Sequence, residues 1–104
     1  MYFAVIARDK AGQEALRSRL RPEHRAWLRA PGEHPIVVRL GGPLLGPDGA
    51  MDGTLLVVEA ASKDAVQAFL AEDPYCRNQM FAKLEVRQWQ WSLGQPAAEM
   101  GAGT

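Results

Sequence analysis

A histidine in a short amphipathic stretch is the side chain best suited to chemistry in this 104-residue chain. His24 follows Pro22, and a proline in the first helical position gives up no hydrogen bond, so the pattern predicts a helix that starts or restarts at Pro22. Trp27 and Leu28 then share the face of His24. The positive end of the helix dipole disfavours an imidazolium in the first turn. We therefore predict a neutral imidazole beside an apolar surface, which can act as a general base.

Two arginines are candidates for binding an anionic substrate oxygen, because a guanidinium presents a planar fork of donors. Arg39 is the only charge in the apolar run 36–40 and is the stronger candidate, whereas Arg25 is expected on the surface. After that run, Gly42 and Pro43 either shape the mouth of a pocket or simply end a strand. Tyr75 either lines the pocket or packs in the core.

The composition argues against several classes of function. Lys plus Arg and Asp plus Glu number 12 each, so no net field attracts nucleic acid or an anionic membrane. The sequence shows no run that would span a bilayer and no export leader, and its one cysteine, Cys76, suits a reducing compartment, so we predict a cytoplasmic protein. No metal or nucleotide motif is present, and we predict that no cofactor is used.

Hydrophobic periodicity predicts four strands and two main helices in one domain, residues 1–93. The strands are predicted at 2–7, 36–40, 54–60 and 82–93. The first helix is predicted at 11–20, capped by Asp9 and continued after Pro22 to about residue 30. The second helix starts at its cap Ser62 and is followed by a short helix that starts at Asp73-Pro74. Gly41, Gly42 and Pro43 are expected to interrupt the second strand, and 94–104 form a tail predicted to be disordered.

This order of elements predicts an α+β fold of the ferredoxin-like βαββαβ type, an antiparallel sheet with both helices on one face. Trp89 and Trp91 alternate to the same side of the last strand. If that side faces away from the helices, two sheets packed face to face would bury them, which predicts a homodimer. The alternative is that the tryptophans belong to the ordinary core.

The chain resembles the YciI-like (YCII-related) family of the dimeric α+β barrel superfamily over about residues 1–93. The resemblance rests on the order of several weak motifs: the first strand, the segment Glu23 to Leu28, Gly42-Pro43-Leu44, Gly53, Ser62, Asp73-Pro74-Tyr75 and the final tryptophan-rich strand. It implies a dimer whose cleft holds a catalytic histidine and aspartate, which here are His24 and Asp73. The chain departs from the family in its Gly41-Gly42 doubling, its loop at 46–52 and its tail.

The resemblance leads to two hypotheses about function. In the first, the protein is a small cofactor-independent lyase or isomerase acting on a cyclic or phenolic substrate, with Asp73 orienting the base His24 and Arg39 holding developing negative charge. In the second, the same cleft binds or senses a small molecule without turning it over. A purely structural dimerisation domain is a third possibility. Taken without the family, His24 is a histidine packed on Trp27 and Asp73 is a helix cap.

Overall fold

A computed structural model of the chain describes residues 1–96 and contains seven elements. In chain order they are β1 (Tyr2–Asp9), α1 (Glu14–Arg29), β2 (Val37–Leu45), β3 (Met51–Glu59), α2 (Lys63–Ala71), α3 (Pro74–Arg77) and β4 (Phe81–Trp89). Residues 90–96 contain no helix or strand. The predicted order of elements is confirmed. Most of the tail predicted to be disordered, residues 97–104, lies outside the described residues.

The four strands form one antiparallel sheet in the order β2-β3-β1-β4. Phe3 and Val5 of β1 are buried, and Val58 and Leu56 lie opposite them on β3. Because side chains alternate along a strand, these residues share the face that the helices cover. The other face bears no helix. The predicted ferredoxin-like architecture is confirmed.

The core lies between the sheet and the helices and is built from apolar side chains of both layers. Its buried members are Phe3, Val5, Ile36, Leu56, Val58, Ala60, Val66, Phe69, Leu70 and Val86. Trp27 of α1 stacks on Phe69 of α2, with ring centroids 5.3 Å apart, and its indole N–H donates to the Phe69 carbonyl. This contact joins the two main helices and fixes how α1 is rotated about its axis.

The helix predicted to start or restart at Pro22 is instead one continuous helix, α1, from Glu14 to Arg29. Proline has no amide proton, so the hydrogen bond to the Ser18 carbonyl is missing. Ser18 and Pro22 are both exposed, and water can therefore hydrate that carbonyl. His24 consequently lies well inside α1 and outside the first turn, where the helix dipole acts most strongly.

The expected interruption of the second strand is also wrong, since β2 runs through Gly41, Gly42 and Pro43 to Leu45. The irregularities lie on either side of this segment: the pairing with β3 skips Arg39 before it, and the register shifts again between Leu44 and Leu45 after it. Pro43 is tolerated because β2 is an edge strand. At Gly41 a side chain would place its Cβ 2.8 Å from a Leu56 methyl carbon, so glycine keeps the strand close to the core.

Two of the three predicted helix caps are confirmed. The Ser62 hydroxyl accepts from the amide of Ala65, and the Asp73 carboxylate accepts from the amide of Tyr75. Asp9 does not cap α1, because β1 extends to include it; the residue before the helix is Gln13, whose side chain makes no capping bond. Asp9 is thereby left to bind a side chain of α1.

Candidate functional site

His24 and Asp73 meet in the interior, where α1 passes the start of α3. His24 Nδ1 lies 2.9 and 2.8 Å from the two carboxylate oxygens of Asp73. The residues are only 6% and 2% exposed. Since an ionised carboxylate can only accept, Nδ1 carries the proton that it donates. Asp73 also accepts from the Tyr75 amide at 2.8 Å, so it caps α3 and orients His24 at once.

The second ring nitrogen of His24 is left for other chemistry. Nε2 makes no hydrogen bond within residues 1–96. Unlike the enclosed Tyr75 hydroxyl, it remains accessible. His24 also lines a cleft. In the neutral tautomer with the proton on Nδ1, Nε2 carries a free lone pair and can accept a proton from a molecule in that cleft.

Tyr75 forms the support of the histidine, in place of the Trp27 that the sequence suggested. Its ring stacks on the His24 ring with centroids 3.9 Å apart and an 18° angle between the planes. The Tyr75 hydroxyl is buried and has no hydrogen-bond partner within residues 1–96. Burial raises the pKa of Tyr75, against the opposing charge of Arg17, so the phenol stays protonated and can donate.

Arg17 is a site residue that was not predicted from the sequence. It is 4% exposed and donates to both oxygens of Asp9, at 2.7 and 2.8 Å, and to the Thr54 hydroxyl at 2.8 Å. Its guanidinium carbon lies 4.7 Å from the centre of the Tyr75 ring. Burial acts to lower the pKa of Arg17, but the hydrogen bond to Asp9 and its charge outweigh burial and raise it. A permanent positive charge therefore lies against Tyr75.

A cleft of about 640 Å³ opens between α1 and β2. One wall is the α1 stripe that contains Arg17, Arg21, His24 and Leu28, and the facing wall is β2. This volume is in the usual range for small-molecule sites. The i, i+4, i+7, i+11 spacing of that stripe was the signal in the sequence that could have grouped Arg17 and Arg21 with His24.

The structure brings the other predicted site residues to this cleft to different degrees. Gly42, Pro43 and Tyr75 line it, and a side chain at Gly42 would meet no atom within 4 Å. Arg39 also lines it, but its guanidinium donates twice to one oxygen of Glu59, at 2.9 and 2.6 Å. To hold a substrate oxygen, Arg39 would have to leave that carboxylate.

Two other kinds of chemistry find little support in residues 1–96. No group of three or more His, Cys, Asp or Glu side chains there is placed to hold a metal ion. Burial and the negative charge of Asp73 raise the pKa of the Cys76 thiol to about 11. Cys76 is therefore a neutral thiol near pH 7 and not an activated nucleophile.

No helix within residues 1–96 is long and apolar enough to cross a bilayer.

The fold and site define a class of small α+β proteins with a ferredoxin-like sheet and a histidine held by an aspartate beside a cleft. Within that class the match is specific: the model of the YCII-related domain matches residues 1–90, and the chain belongs to that family. No curated protein sequence matches the chain significantly.

Solved structures with the same fold include one with substantial sequence identity. The 5-chloro-2-hydroxyhydroquinone dehydrochlorinase of Burkholderia phenoliruptrix AC1100, in complex with 2,5-dihydroxybenzoquinone, is 30% identical with a TM-score of 0.77, covering 88% of this chain and 96% of that one. A cofactor-independent oxygenase, SnoaB from Streptomyces nogalater, is 14% identical with a TM-score of 0.53, covering 90% and 96%. The second likeness concerns the fold alone.

Proposed function

We propose that this protein is a lyase or isomerase that moves a proton on a small cyclic or phenolic substrate, with His24 as the general base. One observation carries the proposal: Asp73 holds the buried His24 through Nδ1 while Nε2 is left to the cleft. A positioned base of this kind supplies roughly a 10²- to 10⁴-fold rate increase. Asp73 acts as a positioning residue, since it fixes the tautomer and the orientation of the ring.

The similarity to the dehydrochlorinase supports elimination of a halide from a hydroxylated ring as the first reaction to examine. His24 Nε2 would take a hydroxyl proton and return it to the carbon that bears chlorine. Chloride would then leave with the electron pair of the C–Cl bond while a second hydroxyl loses its proton. The products are a hydroxyquinone, a proton and chloride, so atoms and electrons balance without an external oxidant.

The proposal is tested by incubating the protein anaerobically with 5-chloro-2-hydroxyhydroquinone and with a panel of phenols and lactones. The readouts are chloride release and incorporation of deuterium from heavy water at ring carbons. We expect at least one compound to release halide or exchange protons faster than in buffer. If the compounds bind but none exchanges or eliminates, the cleft is a binding or sensing site, and the enzymatic proposal fails.

Tyr75→Phe separates a role in substrate binding from a role in packing. We propose that the phenol, enclosed in the free protein, donates a hydrogen bond to a substrate oxygen once the cleft side chains move, and we expect kcat/KM to fall about tenfold in this variant. The free energy of unfolding should not fall and should rise by up to roughly 1–3 kcal/mol, since the buried hydroxyl has no protein partner to lose and its removal relieves an unsatisfied group. Kinetics and urea unfolding measure the two quantities. Unchanged kinetics would mean that Tyr75 only packs against His24.

We further propose that the protein is a homodimer joined through the uncovered face of the sheet. That face bears Ile6, Val37, Leu40, Leu55 and Trp89, each between 38% and 52% exposed. Contiguous apolar surface of this kind marks an interface. Trp89→Glu should therefore shift the sedimentation of the protein from dimer to monomer at micromolar concentration. A wild-type protein that sediments as a monomer at that concentration would contradict the proposal.

A further inference from the structure

The wall of the cleft is far more basic than the chain as a whole. Positive and negative side chains balance over the full sequence, at 12 each. The cleft nevertheless has five arginines on its wall and no Asp or Glu, the five being Arg17, Arg21, Arg25, Arg29 and Arg39. A concave surface that carries one sign of charge focuses the field into the space that it encloses. The local potential therefore favours an anion despite the neutral total.

Three of these arginines have no carboxylate partner within the described part of the chain. Arg17 is paired with Asp9, and Arg39 with Glu59. Within residues 1–96 no carboxylate lies within ion-pair distance of Arg21, Arg25 or Arg29. The charges that remain unneutralised are therefore those of α1, the helix that carries His24.

The spacing of the three places them along one side of α1. Arg21, Arg25 and Arg29 follow each other at intervals of four residues, so their side chains are neighbours on the helix surface. Like charges at this spacing repel each other and destabilise a helix. Arg21 is half-buried while Arg25 and Arg29 are exposed, as expected for Arg25, and all three line the cleft with His24. A bound anion would relieve that repulsion.

We propose that the substrate carries an oxyanion group, a carboxylate or a phosphate, separate from the hydroxyl that reacts. Arg21 and Arg25 bind that group, and Arg29 lies next to it toward solvent. His24 Nε2 accepts the proton that is transferred in the reaction. Arginine suits this role because its donor fork matches both carboxylate and phosphate. The inference rests on the proposed function for the identity of the reacting group, but anion binding itself does not require turnover.

Matched ligand pairs measured by isothermal titration calorimetry test the inference. One pair is hydroquinone and 2,5-dihydroxybenzoate, and the other is phenol and 4-hydroxyphenyl phosphate, which keeps a free hydroxyl beside the phosphate. We expect the anionic member of at least one pair to bind at least tenfold more tightly than its neutral partner, and the pair that shows this preference distinguishes carboxylate from phosphate. The preference should shrink as salt is raised from 50 to 500 mM, roughly as expected for partly exposed charges.

Variants separate the cleft arginines from general surface charge. Arg21→Gln and Arg25→Gln should each reduce the preference at least threefold and leave binding of the neutral ligand unchanged. Arg19→Gln removes the same charge from an exposed position of α1 away from the cleft wall and should leave the preference intact. Equal binding of both members of each pair, absence of binding by either anion at millimolar concentration, or equal effects of all three variants would overturn the inference.

His24→Gln separates failure of this inference from failure of the proposed function. The variant should keep the anion preference, because its arginines are unchanged, while it loses proton transfer. A wild-type protein that prefers the anions but moves no proton on any ligand would retain the inference and refute the lyase proposal. Turnover of neutral phenols without any anion preference would retain the lyase proposal and refute the inference of an anion site.

Discussion

Replacing His24 by Gln is expected to lower kcat/KM for the proposed proton transfer by about 10²- to 10⁴-fold. Glutamine can still donate to Asp73 and nearly fills the space of the imidazole, but its amide cannot take up a proton near pH 7. The loss should therefore appear mainly in kcat, because the interaction is made with a proton that moves in the transition state. Chloride release or deuterium exchange under saturating substrate measures it.

His34→Gln is the matched control for this experiment. His34 is the other histidine of the chain, and it too contacts a carboxylate, Glu72, and an aromatic ring, Trp27. It does not lie on the cleft wall. We expect this variant to keep kcat/KM within about twofold of the wild type. If both variants lose activity equally, the effect comes from stability and His24 is not the base.

Much of the fold could be predicted from local patterns because each pattern reflects one local interaction. Runs of apolar, β-branched and aromatic residues predicted the strands. Ser62 and Asp73 predicted the starts of α2 and α3, because their side chains accept hydrogen bonds from amides two or three residues further on. Pro22 led to a wrong prediction. A proline in the sequence shows that one helical hydrogen bond is lost, but it does not show that packing of the rest of the helix compensates for that loss. The long-range packing of Trp27 on Phe69 is one of the contacts that hold the continuous helix in place.

The candidate site was only partly predictable, since its contacts join distant parts of the chain. The hydrogen bond between His24 and Asp73 spans 49 residues, and spacing alone does not reveal it; the family resemblance suggested the pair. Arg17 was missed because arginine is rarely buried, and its burial depends on Asp9 and Thr54, which β1 and β3 supply. Arg39 was predicted to be near the cleft, but its ion pair with Glu59 was not predicted.

Replacing Asp73 by Ala is expected to lower the free energy of unfolding by about 3 kcal/mol. Loss of a helix cap costs roughly 0.5–2 kcal/mol. A buried hydrogen-bonding group left without a partner, here the Nδ1–H of His24, costs roughly another 1–3 kcal/mol. Urea unfolding at pH 7 and fixed protein concentration measures the change, and the dependence on urea should stay the same if the native state is intact.

Two further variants divide that loss between the cap and the histidine. Ser62→Ala removes a cap whose oxygen contacts the Ala65 amide at an exposed site, so it should cost only about 1 kcal/mol. Asp73→Asn keeps an oxygen that can accept from the Tyr75 amide and should cost less than Asp73→Ala, since asparagine caps as well as aspartate. If Asp73→Ala costs no more than Ser62→Ala, the contact with His24 adds no stability, and Asp73 then orients the ring only weakly.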